Sequence, residues 1–64
     1  MITYEVIGYK SKEDFDNLNG SKLDYDLIFF AEALEIGKNF LKNFHIIKVQ
    51  SSDREQITIL TNEN

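Results

Sequence analysis

Apolar and polar residues alternate at the start of the chain. In "ITYEVIGY" (residues 2–9) β-branched and aromatic types recur with a period of two. That pattern predicts a strand with Ile2, Tyr4 and Val6 on one face and Thr3, Glu5, Ile7 and Tyr9 on the other. The alternation stops in "SKEDFDNLNG" (11–20). Ser11 is a helix-capping type, Glu13 and Asp14 suit the positive end of a helix, and Gly20 suits a left-handed cap at its other end. A short helix or ordered loop is expected there, pinned to the body by Phe15 and Leu18.

The period then changes to that of a helix. At 100° per residue, Leu27, Phe29, Phe30, Ala33, Leu34, Ile36, Gly37, Phe40, Leu41 and Phe44 fall within one half-turn. Glu32, Glu35, Lys38, Asn39, Lys42 and Asn43 fill the opposite side. The start of this helix is ambiguous. "SKLDYDLIFFA" (21–31) alternates Leu23, Tyr25, Leu27 and Phe29 with Asp24 and Asp26 as a strand would, yet either aspartate suits a helix N-cap. Nothing between 27 and 31 resembles a break, so we favour a helix that begins in this stretch and runs to 43. The strand alternative adds a member to the sheet and shortens the helix to 30–43. Gly37 sits near the centre of the apolar arc, where it costs about 1 kcal/mol relative to alanine. It is expected to mark the closest approach of the helix axis to the sheet.

"FHIIKVQ" (44–50) and "EQITIL" (55–60) read as a hairpin joined by the polar turn "SSDR". Ile47 and Val49 share a face of the first strand with His45, and Ile57 and Ile59 share a face of the second. "TNEN" (61–64) reads as a frayed polar tail. The sum is one α+β domain over 1–64. We expect a small antiparallel sheet of three strands, four under the strand alternative, with one long helix on one face. The order is β-(short helix or loop)-α-β-β, with Ile2, Tyr4, Val6, Leu34, Gly37, Leu41, Ile47, Val49, Ile57 and Ile59 in the core.

Two apolar sets are left over. Ile7, Tyr9, Ile46 and Leu60 are placed on the far side of the sheet, and Phe29, Ile36 and Phe40 on the helix flank. Contiguous exposed apolar patches mark interfaces. A chain of 64 residues buries only about 60% of its unfolded surface and is marginal alone. These two points predict a homodimer with two-fold symmetry, with the seven residues as self-association or partner surface. The alternative is that 10–26 folds over one set through Phe15, Leu18 and Leu23.

Composition removes several chemistries. The chain has no cysteine, which excludes disulfides, thiolate metal sites and thiol catalysis. One histidine, His45, cannot build an imidazole metal site, and no motif gives it a catalytic partner. Gly8, Gly20 and Gly37 are isolated, so no phosphate loop exists. "DFDNLNG" lacks the spacing of a calcium loop, and Ser51, Ser52 and Asp53 have no histidine in sequence reach. We therefore assign no catalytic, cofactor-binding or metal-ligating residue, and expect a protein that is not an enzyme and needs no cofactor. No apolar run approaches the roughly 18 residues of a membrane span and no signal-peptide pattern is present. A cytoplasmic protein without membrane contact is expected.

Charge adds one candidate surface. The net charge is −4, which makes direct nucleic-acid binding the last of the binding readings. The acid is concentrated: Glu13, Asp14, Asp16, Asp24, Asp26, Glu32 and Glu35 face only Lys22 between residues 13 and 35. These seven are either a solvated face with helix caps or a partner-binding acidic patch, which could occupy a nucleic-acid channel as a DNA mimic.

"EALEIGKNFLKNFHIIKVQ" followed by "REQITIL" resembles small acidic accessory proteins of AT-rich bacteriophages and mobile elements. In these a Glu-Ala-Leu helix leads into a two-stranded hairpin after an N-terminal strand. The resemblance covers about half the chain, and the scarcity of Arg, Ala and Pro beside abundant Ile, Lys and Asn accords with it. It implies a protein–protein interaction module that binds and inhibits a host enzyme or defence complex, often as a dimer. It carries over no functional residue.

Overall fold

Six elements follow one another: β1 (Tyr4–Tyr9), α1 (Lys12–Asp16), β2 (Ser21–Leu27), α2 (Phe30–Phe40), β3 (Ile46–Ser51) and β4 (Ile57–Thr61). The computed structural model describes residues 1–62. The strands form one antiparallel sheet in the order β2-β1-β3-β4. The helix α2 lies across one face, chiefly over β1 and β3. The short α1 lies on the other face, where Phe15 meets Tyr9.

The core follows from the two periods. Val6, Ile47 and Val49 point from the central strands toward α2, and with Ala33 they are fully buried. Tyr4, Leu23, Leu27, Phe30, Leu34 and Leu60 are among the half-buried apolar residues packed round them. Full burial of a valine or isoleucine side chain contributes about 1.5–3 kcal/mol. Gly37 does mark the close approach: a Cβ there would stand 3.1 Å from both Ile47 Cγ2 and Leu60 Cδ1.

Residues 21–27 form a strand, not the start of the long helix, so α2 begins at Phe30 and ends at Phe40. Neither Asp24 nor Asp26 caps α2. Its N-cap is Phe29, without a side-chain hydrogen bond, and the Asp24 carboxylate accepts from the Tyr25 N–H. As a strand, this segment pairs with one side of the β1 backbone. The β1–β2 ladder shifts register between Tyr4 and Val6 and again between Val6 and Ile7. These irregularities let both Leu23 and Leu27 reach the core although Asp26 is left-handed, with φ 57°.

The second correction concerns β4. Val49 opposes Thr58 and Ile47 opposes Leu60, so Thr58 and Leu60 face the helix while Ile57 and Ile59 face away. Leu60 therefore leaves the far-side set and packs at Gly37. The turn sets this register, since a one-residue slip would exchange the faces. The Ser51 N–H donates to the Gln56 carbonyl (3.0 Å), and Ser51 Oγ accepts from the Gln56 N–H (3.0 Å).

Two smaller expectations also change. Gly20 is not left-handed; Leu18 takes that conformation instead, with φ 57°. A Cβ on Gly20 would stand 2.6 Å from Ile7 Cγ2 and Tyr9 Cε1, so this glycine serves close packing of the α1 segment onto the sheet. At the other end Thr61 belongs to β4, and the Asn62 N–H donates to the His45 carbonyl at 3.1 Å. Thr61 and Asn62 are therefore not part of the expected frayed tail, and residues 63–64 lie outside the described residues. Among the described residues no helix is long and apolar enough to cross a membrane.

Candidate contact surface

The sheet face opposite α2 is covered at one end and open at the other. Tyr9 and Ile46 oppose each other across β1 and β3 and are buried. The Phe15 ring stands edge-on to Tyr9, with centroids 5.1 Å apart. Ser11 makes this possible by capping α1: its Oγ accepts from the Asp14 N–H at 3.1 Å. Residues 10–20 thus fold over one of the apolar sets.

The uncovered remainder is a groove. Two adjoining hollows of about 270 and 310 Å³ share Glu5, Lys22, Gln50 and Arg54 as lining. Glu5 organises the floor, with one oxygen 3.2 Å from Lys22 Nζ and the other accepting from Gln50 Nε2 at 2.8 Å. Lys22 also lies 5.8 Å from the centre of the Tyr25 ring, and Lys48 5.8 Å from that of Tyr9. In a chain of net charge −4, the cations Lys22, Lys48 and Arg54 here outnumber the carboxylates Glu5 and Asp26.

The β3–β4 turn presents Arg54 at the groove. Ser51 is buried and its hydroxyl donates to Asp53 Oδ1, which also accepts from the Glu55 N–H at 3.1 Å. The Ser51 hydroxyl, then the Glu55 N–H, hold the Asp53 carboxyl below its ordinary range. Ser52 ties the turn to β1, its N–H donating to the Thr3 carbonyl (2.8 Å) and its Oγ accepting from the Thr3 N–H (3.1 Å). Arg54 itself is left-handed, with φ 63°.

All three non-glycine residues with positive φ among the described residues stand on this groove. Leu18, Asp26 and Arg54 have φ of 57°, 57° and 63°, and each lines one or both hollows. A left-handed conformation costs a non-glycine residue about 1–2 kcal/mol, less for aspartate. Leu18 is also 77% exposed and Tyr25 61%, so the rim offers an aliphatic and an aromatic side chain to solvent.

The seven acidic residues are not brought onto one face. Glu13, Asp14 and Asp16 ride on α1, Asp24 and Asp26 on β2, and Glu32 and Glu35 on α2. They therefore occupy both sides of the sheet and the edge between. Of the seven apolar candidates, Tyr9 and Ile46 are buried, while Ile7, Ile36, Phe40 and Leu60 are half-buried. Only Phe29, at 68%, is strongly exposed. Sequence reasoning missed Lys22, Tyr25, Lys48, Arg54 and Leu18 as a group, because only the bulged β2 and the tied turn bring them together.

Among the described residues no cluster of His, Asp and Glu is arranged to hold a metal ion. Comparison with family models, curated proteins and solved structures gave no match.

Proposed function

We propose that this chain is a non-enzymatic protein–protein interaction module whose partner docks in the groove on the outer face of the sheet. The supporting observation is that Leu18, Asp26 and Arg54, the three left-handed non-glycine residues among those described, all stand on that groove. Unfavourable backbone conformations concentrate where function requires them. Tyr and Arg are also the side chains that most often dominate binding energy. The groove cations select a partner segment that carries carboxylates among apolar side chains. The resemblance to phage and mobile-element accessory proteins makes the partner a host enzyme or defence complex and the role an inhibitory, anti-defence one. The DNA-mimic reading has less support, because its carboxylates are divided between two faces and an edge.

The test uses Leu18→Gly and Arg54→Gly, which relieve the backbone while removing the rim side chain. Both should fold with stability unchanged or raised by up to about 1 kcal/mol. In affinity capture from a bacterial lysate, proteins retained by the wild type should be lost from both variants. Retention of the same proteins by wild type and variants would overturn the groove as the docking surface.

A further inference from the structure

The sheet has a second unused feature, independent of the groove. Among the described residues β4 pairs only with β3, so the backbone groups of its first residues that do not reach β3 face outward. The bonds at either end of the hairpin identify which residues these are. Ser51 donates to Gln56, and Asn62 to His45, in the same register that opposes Val49 to Thr58 and Ile47 to Leu60. Hydrogen-bonded and non-hydrogen-bonded pairs alternate in an antiparallel ladder. The backbone groups of Thr58 and Leu60 are therefore turned to β3, and those of Ile57 and Ile59 to the open edge. The same two isoleucines are 53% and 43% exposed. The helix α2, centred over β1 and β3, leaves this edge clear.

We propose that the occupant of this edge is a second copy of the chain, paired antiparallel through β4 about a two-fold axis at Thr58. Three observations support a second copy as the occupant. An axis at Thr58 sets residue 57 against residue 59 of the second copy, and because "ITI" (57–59) is a palindrome both pairs match isoleucine with isoleucine. Those are the residues with outward backbone groups, and by symmetry the two pairs exchange four hydrogen bonds. The strand "ITILT" carries no charge, so the paired segment itself brings no like charges together. Finally, the charged strand β2 lies at the far edge. Seven interstrand gaps of about 4.8 Å would hold the two β2 strands roughly 34 Å apart, well beyond the screening length of about 8 Å. The product is one eight-stranded sheet with both grooves on the same face.

Light scattering coupled to size-exclusion chromatography reads the assembly directly. The wild type should weigh twice the 7.5 kDa chain. Ile59→Lys should weigh one chain with its circular dichroism unchanged, its dimer affinity reduced by at least about tenfold. Tyr25→Lys, on the β2 edge, should keep the double mass. The register has its own test, because the native chain has no cysteine. Thr58→Cys places two thiols in a non-hydrogen-bonded pair whose spacing of about 4.5 Å lies within disulfide range. Under mild oxidation it should yield a covalent dimer, while Ser21→Cys on β2 should not. A wild type of single mass up to about 1 mM overturns the proposal, as does a dimer that survives Ile59→Lys. A dimer that Thr58→Cys fails to crosslink overturns the two-fold register. None of these outcomes bears on whether the groove binds a partner.

Discussion

At one edge of the sheet β2 carries Lys22, Asp24 and Asp26, two register shifts against β1 and a left-handed residue. At the other, β4 runs as "ITILT" in continuous register with β3, without a charge. Bulges and charges are the usual devices by which a sheet discourages strand addition. This chain places them all on one side. The difference is informative because both edges bound the same small core, so the contrast is local to each strand. A guarded edge opposite an unguarded one is what the proposed pairing through β4 requires.

The largest predicted effect falls on what the two edges share. Ile47→Ala removes a fully buried side chain from β3 and should destabilise the fold by about 3–4 kcal/mol in urea denaturation. In a domain this small that loss would leave neither edge populated. A loss below 1 kcal/mol would mean that the core is not where the packing puts it. Gly37→Ala tests the β4 side specifically. Its new Cβ would stand 3.1 Å from Ile47 and Leu60, so overpacking of about 1–3 kcal/mol should exceed the gain of about 1 kcal/mol in helix propensity. A net loss near 1 kcal/mol is expected, and a clear gain would show that α2 can move off the sheet.

Asp26→Gly sharpens the β2 side. It should retain or raise stability by about 0.5 kcal/mol by relieving the left-handed backbone, without changing the mass of the assembly. A shift in mass would show that the bulged edge takes part in association after all. The smallest effect is expected at the β3–β4 turn that sets the register of β4. The Asp53 carboxyl is lowered in the folded chain from its ordinary 3.8. Its contribution to stability is therefore complete above that value and is lost as pH falls through the lower folded one. Asp53→Asn should make the acid limb of the stability–pH curve shallower, leaving that curve unaltered in slope near neutrality. An unchanged acid limb would contradict the pairing of Asp53 with Ser51.

Much of the fold was legible because the apolar periods are strong where both layers contribute. Val6, Ile47 and Val49 alternate toward a helix whose arc contains Ala33 and Gly37, and the structure puts all five together. The strand at 21–27 was legible only as an alternative. "LIFFA" continues the apolar run into α2 without punctuation, and the N-cap at Phe29 has no side-chain signal. The inward face of β4 was misread because Ile57 and Ile59 are more apolar than Thr58, whereas hydrogen bonds to Ser51 Oγ and the Ser51 N–H fixed the pairing. The groove was illegible for a related reason. Its members come from four separated segments, and the left-handed backbone at Leu18, Asp26 and Arg54 leaves no mark in a pattern of residue types.

The measurement that tests the contrast between the edges most directly is residue-resolved amide hydrogen exchange along β4 at high and low protein concentration. Thr58 and Leu60, whose N–H groups face β3, should be protected at both. Ile57 and Ile59 should be protected only at the concentration where the double mass is observed, and should exchange freely on dilution. Free exchange of Ile57 and Ile59 at millimolar concentration, beside protected Thr58 and Leu60, would contradict the account, because the open edge would then be solvated and unshared.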